Sequence, residues 1–160
     1  MLEAIPNLLA IAKAESNIRP EVKFYQGKEG IISAYEDTLS SCNEGDEILA
    51  FASADDIENM IGDYAQGYLK KRVAKKIKER CISQDCPSIK KYVAKDKEQL
   101  RKTLLVKEGS FPLSIEKNIY SDKVCFMNFR GFPFGVIIKS QQIANSERAM
   151  FNLLWNKLPK

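Results

Sequence analysis

Glu47-Ile48-Leu49-Ala50-Phe51-Ala52-Ser53 is an apolar run with no polar alternation, closed by a hydroxyl. A strand that exposes one face to water alternates polar and apolar residues. A continuous run is what a strand covered on both faces requires, so this stretch predicts a central strand with helices above and below it. Ser53, with Asp56 three residues on, reads as an N-cap and capping-box acid opening a helix over 55–61.

Working outward, Val22-Lys-Phe24-Tyr25 reads as a short strand that Gly27 turns into a helix through Ile31, Ile32, Tyr35 and Leu39. Asn43-Glu-Gly45-Asp46 is a turn. Downstream, a helix is expected from about 63 to 78, a strand over 80–83, a loop at 84–87, a polar segment to Gln99 and a strand over 101–106. After Gly109 the pattern changes to three strands, 113–120, 123–129 and 134–139, joined by short turns at Ser121-Asp122 and Gly131, an antiparallel meander. Asn145 then caps a helix whose Phe151, Leu154, Trp155 and Leu158 fall at i, i+3, i+4 and i+7. The order implies an α/β fold, a mixed sheet flanked by helices on both faces. Ahead of it Leu2, Ile5, Leu8, Leu9 and Ala12 form one face of an amphipathic helix over 2–16, ended by Arg19-Pro20.

The 160 residues are 44% hydrophobic and 29% charged, an ordinary globular balance and room for one domain. No apolar run approaches the roughly 20 residues that span a bilayer, and Met1-Leu-Glu lacks the basic start of a signal peptide, so a cytoplasmic protein without membrane contact is expected. The chain has no histidine. That excludes His-based triads, His-bearing zinc sites and phosphohistidine mechanisms.

Twenty-five basic residues against 21 acidic give +4, and the excess is concentrated at Lys70, Lys71, Arg72, Lys75, Lys76, Lys78 and Arg80. One reading is a phosphate-facing patch, with Lys70, Lys71, Lys75 and Lys78 as nucleic-acid contacts. The other is the wet side of a helix whose Ala65, Leu69, Val73 and Ile77 recur beneath it. No aromatic residue interrupts the run to stack on bases. Cys42, Cys81, Cys86 and Cys125 are scattered. The one close pair, Cys81-x4-Cys86, is too loose for a zinc ribbon, so buried thiols and no metal or cofactor are expected.

Val22-Lys-Phe-Tyr-Gln-Gly-Lys-Glu-Gly30-Ile, Glu47-Ile-Leu-Ala-Phe-Ala-Ser53, Ala94-Lys-Asp-Lys-Glu98, Ser114-Ile-Glu-Lys-Asn-Ile-Tyr-Ser-Asp-Lys-Val124 and Gly135-Val-Ile-Ile-Lys-Ser140 together resemble the C-terminal effector domain of TrmB-like transcriptional regulators. The resemblance spans about residues 20–157. It implies a phospholipase D-like fold for residues 20–160, preceded by a linker helix over 1–19 that pairs two copies into a homodimer. It also implies a small-molecule effector, sugars being bound by some members, and DNA binding only through a winged helix outside these 160 residues. The phospholipase D motif is His-x-Lys-x4-Asp, in which the histidine attacks phosphorus. Ile115-x-Lys117-x4-Asp122 keeps the spacing with isoleucine at the nucleophile, and the neighbouring register puts Ser114, Glu116 and Ser121 at the three positions. Either register lacks the histidine, so the resemblance implies a non-catalytic domain.

Ser114, Glu116 and Asn118 alternate with Ile115 and Ile119, and Lys117 falls on the apolar side, where it must snorkel or meet an acid. Ser53 and Ser83 end strands, where open α/β sheets place ligands. The expected ligand-binding residues are therefore Ser53, Ser83, Ser114, Glu116 and Asn118. Two further functions compete with effector binding: a stand-alone nucleic-acid binder using the basic run, and a phosphodiester-processing enzyme with Cys81, Cys86 or Ser114 as nucleophile.

Overall fold

The computed structural model describes residues 19–107, 109 and 114–159. The helix expected over 2–16, the linker segment to residue 19 and the start of the 113–120 strand fall wholly or largely outside them. The described chain runs β1 (Glu21–Gln26), α1 (Gly27–Ser41), β2 (Glu47–Ala52), α2 (Ala54–Ala74), β3 (Lys78–Gln84), α3 (Ile89–Val93), β4 (Arg101–Val106), β5 (Glu116–Tyr120), β6 (Lys123–Asn128), β7 (Phe134–Lys139) and α4 (Gln141–Lys157). The strands form one seven-stranded sheet in the order β1-β7-β6-β5-β2-β3-β4. β2, β3 and β4 are parallel, and every other pair is antiparallel.

β2 is central, and its last five residues are buried. Ile48 packs on one side with Ile31, Tyr35 and Leu39 of α1 and Ile61, Tyr68 and Leu69 of α2. Leu49 and Phe51 pack on the other side with Phe151 and Trp155 of α4. The period-2 alternation of a strand thus feeds two cores, and the mixed sheet with helices on both faces is as expected. The β5–β6–β7 meander is also present, and β1 completes it at the far edge.

α1 sits close on β1 because Gly30 has no side chain: a Cβ there would lie 2.8 Å from the Tyr25 carbonyl carbon. Gly27, at φ +73°, makes the sharp strand-to-helix turn and donates its amide to the Pro133 carbonyl at 2.8 Å.

Several boundaries differ from expectation. The two helices over 55–61 and 63–78 are one, α2, kinked at Ile61 (φ −131°, ψ 23°). It stops at Ala74 because Lys76 takes φ +55°, which ends helical hydrogen bonding and sends Lys78 into β3. Ser53 is the N-cap residue but makes no side-chain capping bond; Asp56 turns away to pair with Arg130 at 2.8 Å. α4 starts four residues before Asn145, with the Ser140 hydroxyl accepting from the Ile143 amide. The polar segment contains α3, a single short helix. β7 begins and ends as read and β6 stops one residue short, at Asn128, while β5 starts only at Glu116, with Ser114 and Ile115 in a bend.

Candidate functional site

The carboxyl ends of β2 and β3 and the amino end of β5 meet at one end of the sheet, since Phe51 faces Lys117 and Ala52 faces Ser83. α1 and α2 both begin there. Four of the five expected ligand residues, Ser53, Ser83, Ser114 and Glu116, belong to this end, and Asn118 lies one pleat deeper.

Their roles separate. Ser83 is fully buried, and its hydroxyl donates to the Ala52 carbonyl at 2.9 Å, so it ties β2 to β3. Ser114 is exposed at the entrance to β5. Glu116 and Asn118 are brought together under α1: the Tyr35 hydroxyl and the Asn118 amide nitrogen donate to the same carboxylate oxygen, Glu116 Oε1, at 2.7 and 2.9 Å. Glu116 Oε2 is buried and has no hydrogen-bond partner. Burial dominates the carboxyl's energetics and raises its pKa from 4.5 to about 7, against the lowering effect of its two donors. Tyr35, which reads in sequence as one more residue of the apolar stripe of α1, is the partner that sequence reasoning missed. Burial and the facing carboxyl hold its phenol well above its usual range.

Lys117 points to the opposite face. Its ammonium lies 2.6 Å from Glu147 Oε2 and 5.1 Å from the centre of the Phe51 ring, so the anomalous lysine does meet an acid. The two spacings that resemble the phospholipase D motif are therefore physically separate. Glu116 of one register faces α1 and α2, and Lys117 of the other faces α4.

Beside Glu116 on the α2 side, the small side chains of β2 leave room. Ala52, Ala54, Ala65, Leu69, Cys81 and Thr103 are among the walls of a cavity of about 60 Å³. Its polar neighbours are engaged elsewhere: Tyr68 with Thr38 at 2.8 Å, Tyr92 with Glu58 at 3.0 Å, Thr103 with Asp96 at 3.0 Å and Glu79 with Arg72 at 3.1 Å. Burial pushes the Cys81 thiol well up, which keeps it protonated and unreactive. Cys86, half-buried, is also raised by burial. Among the described residues no cluster of three or more Cys, Asp or Glu is placed to hold a metal ion.

The basic run is divided between the end of α2, a turn and β3. Lys71 pairs with Glu36, Lys76 with Glu44 and Arg80 with Glu47, while the Lys75 ammonium bonds the Leu39 carbonyl. Arg72 is completely buried, against the reading of the run as a wet face. It shares a helical face with Ala65, Tyr68 and Leu69, and it donates to the carbonyls of Ile77 and Gln99 at 2.8 and 2.7 Å. Of the four expected nucleic-acid contacts, Lys70 and Lys78 are exposed with no ion-pair partner among the described residues.

Solved structures similar to this arrangement include the following three. TrmBL2, an archaeal chromatin protein whose structure shows a novel mode of DNA binding, superposes with a TM-score of 0.62 at 19% identity. That match covers 99% of this chain, which spans 61% of the length of TrmBL2. Nuc from Salmonella typhimurium, a phospholipase D family member, gives 0.60 at 14% identity over 88% of this chain and 97% of Nuc. NucT from Helicobacter pylori gives 0.61 at 12% identity over 88% and 98%. No protein-family model matches the chain, and no curated protein matches it in sequence. The fold is phospholipase D-like, shared with TrmBL2, as the sequence resemblance implied. No helix among the described residues is long and apolar enough to cross a membrane.

Proposed function

We propose that residues 20–160 are the non-catalytic, ligand-responsive domain of a TrmB-like transcriptional regulator in the cytoplasm, that residues 1–19 pair two copies, and that DNA is reached through a winged helix outside these residues. One observation carries the reading. The strand with phospholipase D motif spacing presents, on the side of α1 and α2, a buried carboxyl held by Tyr35 and Asn118 where that motif has its lysine, and Ser114 stands where it has its histidine nucleophile. A fold that serves catalysis elsewhere can serve recognition once its nucleophile is gone.

Ligand binding then falls to the end of the sheet where Ser53, Ser114 and Glu116 meet, with Asn118 beneath and Ser83 bracing the strands. The neighbouring cavity holds less than half of the roughly 150 Å³ that accommodates benzene in an engineered protein core. An effector the size of a sugar would therefore have to displace α2, for which the kink at Ile61 is the natural hinge. A ligand shifts the paired arrangement only by binding one state better than the other.

The experiment is solution mass by sedimentation equilibrium on the whole chain and on an Ile5→Asp/Leu9→Asp variant. Halving of the mass in the variant is expected, and an unchanged mass overturns pairing through residues 1–19. Alongside it, bis(p-nitrophenyl) phosphate is expected to survive incubation. Turnover lost on Ser114→Ala would replace the regulatory reading by an enzymatic one. Salt-sensitive duplex DNA binding lost on Lys70→Ala/Lys78→Ala would favour the stand-alone nucleic-acid reading.

A further inference from the structure

β1 is one of the two edges of the sheet, and among the described residues it is bare. Val22 and Phe24 are 64% and 59% exposed, and Phe24 stacks on Phe134 of β7 at 5.9 Å between ring centres. Next to them Phe132 is 55% exposed. α1 packs on the opposite side of β1 and β7, and among the described residues no element covers this side of β1. Edge strands in monomeric proteins are normally shortened, bulged or covered, because an open row of amides and carbonyls recruits another strand.

The hydrogen-bonding parity of β1 follows from one bond. The Gly27 amide donates to the Pro133 carbonyl, beyond the Gln26–Phe134 pair, so the odd residues of β1 bond inward to β7. The even residues Val22, Phe24 and Gln26 therefore direct their backbone groups outward.

We infer that β1 pairs antiparallel with β1 of a second copy of this chain, about a two-fold axis through Phe24. In this register Phe24 faces its own counterpart, Val22 faces the second copy's Gln26, and Lys23 faces its Tyr25. All three outward-facing residues then find hydrogen-bonded mates, the two Phe24 rings form a cross-strand aromatic pair, and no like charges meet. Shifting the second strand by two residues sets Lys23 against Lys23 and leaves Gln26 facing Pro20, which has no amide to donate. The strand is thus complementary to itself in one register, which is what a closed two-fold contact demands.

This contact is independent of pairing through residues 1–19. Antiparallel strands send the two preceding chain segments in opposite directions. With both contacts in place, each copy touches two others.

Cross-linking tests the register in a Cys86→Ser background, because the other three cysteines are buried. Under mild oxidation Phe24→Cys is expected to give a disulfide-linked species at twice the 18.2 kDa protomer mass. Hydrogen-bonded antiparallel partners place their Cα atoms about 5.5 Å apart, within disulfide reach. Val22→Cys is expected to stay unlinked, since its counterpart lies about 14 Å along the pair. Linkage at Val22 and not at Phe24, or at neither, overturns the inference.

Solution mass separates this contact from the other one. Phe24→Asp should halve the mass of the whole chain, and Ile5→Asp/Leu9→Asp should leave the Phe24→Cys link intact. If Phe24→Asp leaves the mass unchanged, the edge is not an interface and the inference fails, whatever becomes of pairing through residues 1–19.

Discussion

Glu116 and Lys117 are consecutive in β5; Glu116 is buried toward α1 and α2, and Lys117, its side chain 27% exposed, lies toward α4. Lys117 meets a carboxylate at 2.6 Å and two aromatic rings. Glu116 meets only neutral donors, and one of its oxygens meets nothing. The difference shows what a facing counter-charge supplies. Lys117 has an ion-pair partner in Glu147, whereas burial of the Glu116 carboxyl without one raises its pKa to about 7. Arg72 is the extreme case on the side of the paired charges, fully enclosed, with Glu79 and two carbonyls around its guanidinium.

The largest effect should come from breaking that extreme case. Arg72→Ala strands Glu79 and two carbonyls and should cost about 3–5 kcal/mol in urea denaturation. A loss below about 1 kcal/mol would mean that the pair is solvated, and the contrast with Glu116 would collapse.

Next comes Glu116. Its carboxyl is raised from 4.5 to about 7 in the folded protein, so between those values the folded state binds a proton that the unfolded chain has released. Stability from this group is therefore full below pH 4.5 and declines as pH rises through 7, by roughly 3 kcal/mol. Glu116→Gln should flatten that slope in denaturation midpoints taken from pH 5 to 8, since a neutral amide oxygen still accepts from Tyr35 and Asn118. An unchanged slope would locate the titration elsewhere.

Lys117→Met should cost less, about 1–2 kcal/mol, because Glu147 is on a surface helix and regains water. Smallest of all, Lys76→Ala removes an ion pair whose two side chains are both about two-thirds exposed, and it should move stability by less than about 0.5 kcal/mol.

This ranking also explains what could be seen in the sequence. The continuous 47–52 run and the alternation after Gly109 made the sheet legible, because burial leaves a period in the residue order. Lys117 was legible as an exception to that period. Arg72 was not, because in a run of seven basic residues the single buried one differs only by its angular position around the helix. The carboxyl site was half legible: Glu116 and Asn118 share a strand face, but Tyr35 lies 81 residues away on α1 and reads as a hydrophobe. α3 went unseen because a five-residue helix carries too few turns for any periodicity. The capping box at Ser53 misled because Arg130, from the turn between β6 and β7, draws Asp56 away, and local spacing does not report a competitor 74 residues distant.

The missing side chain at Gly30 bears on how copies of this chain can associate. With α1 seated directly on the backbone of β1, that strand cannot be traded between molecules unless the helix lifts off the sheet. Association along the edge therefore adds one intact sheet to another. Dilution should part the copies at the speed of a surface contact, with no slow refolding phase of the kind that strand exchange imposes.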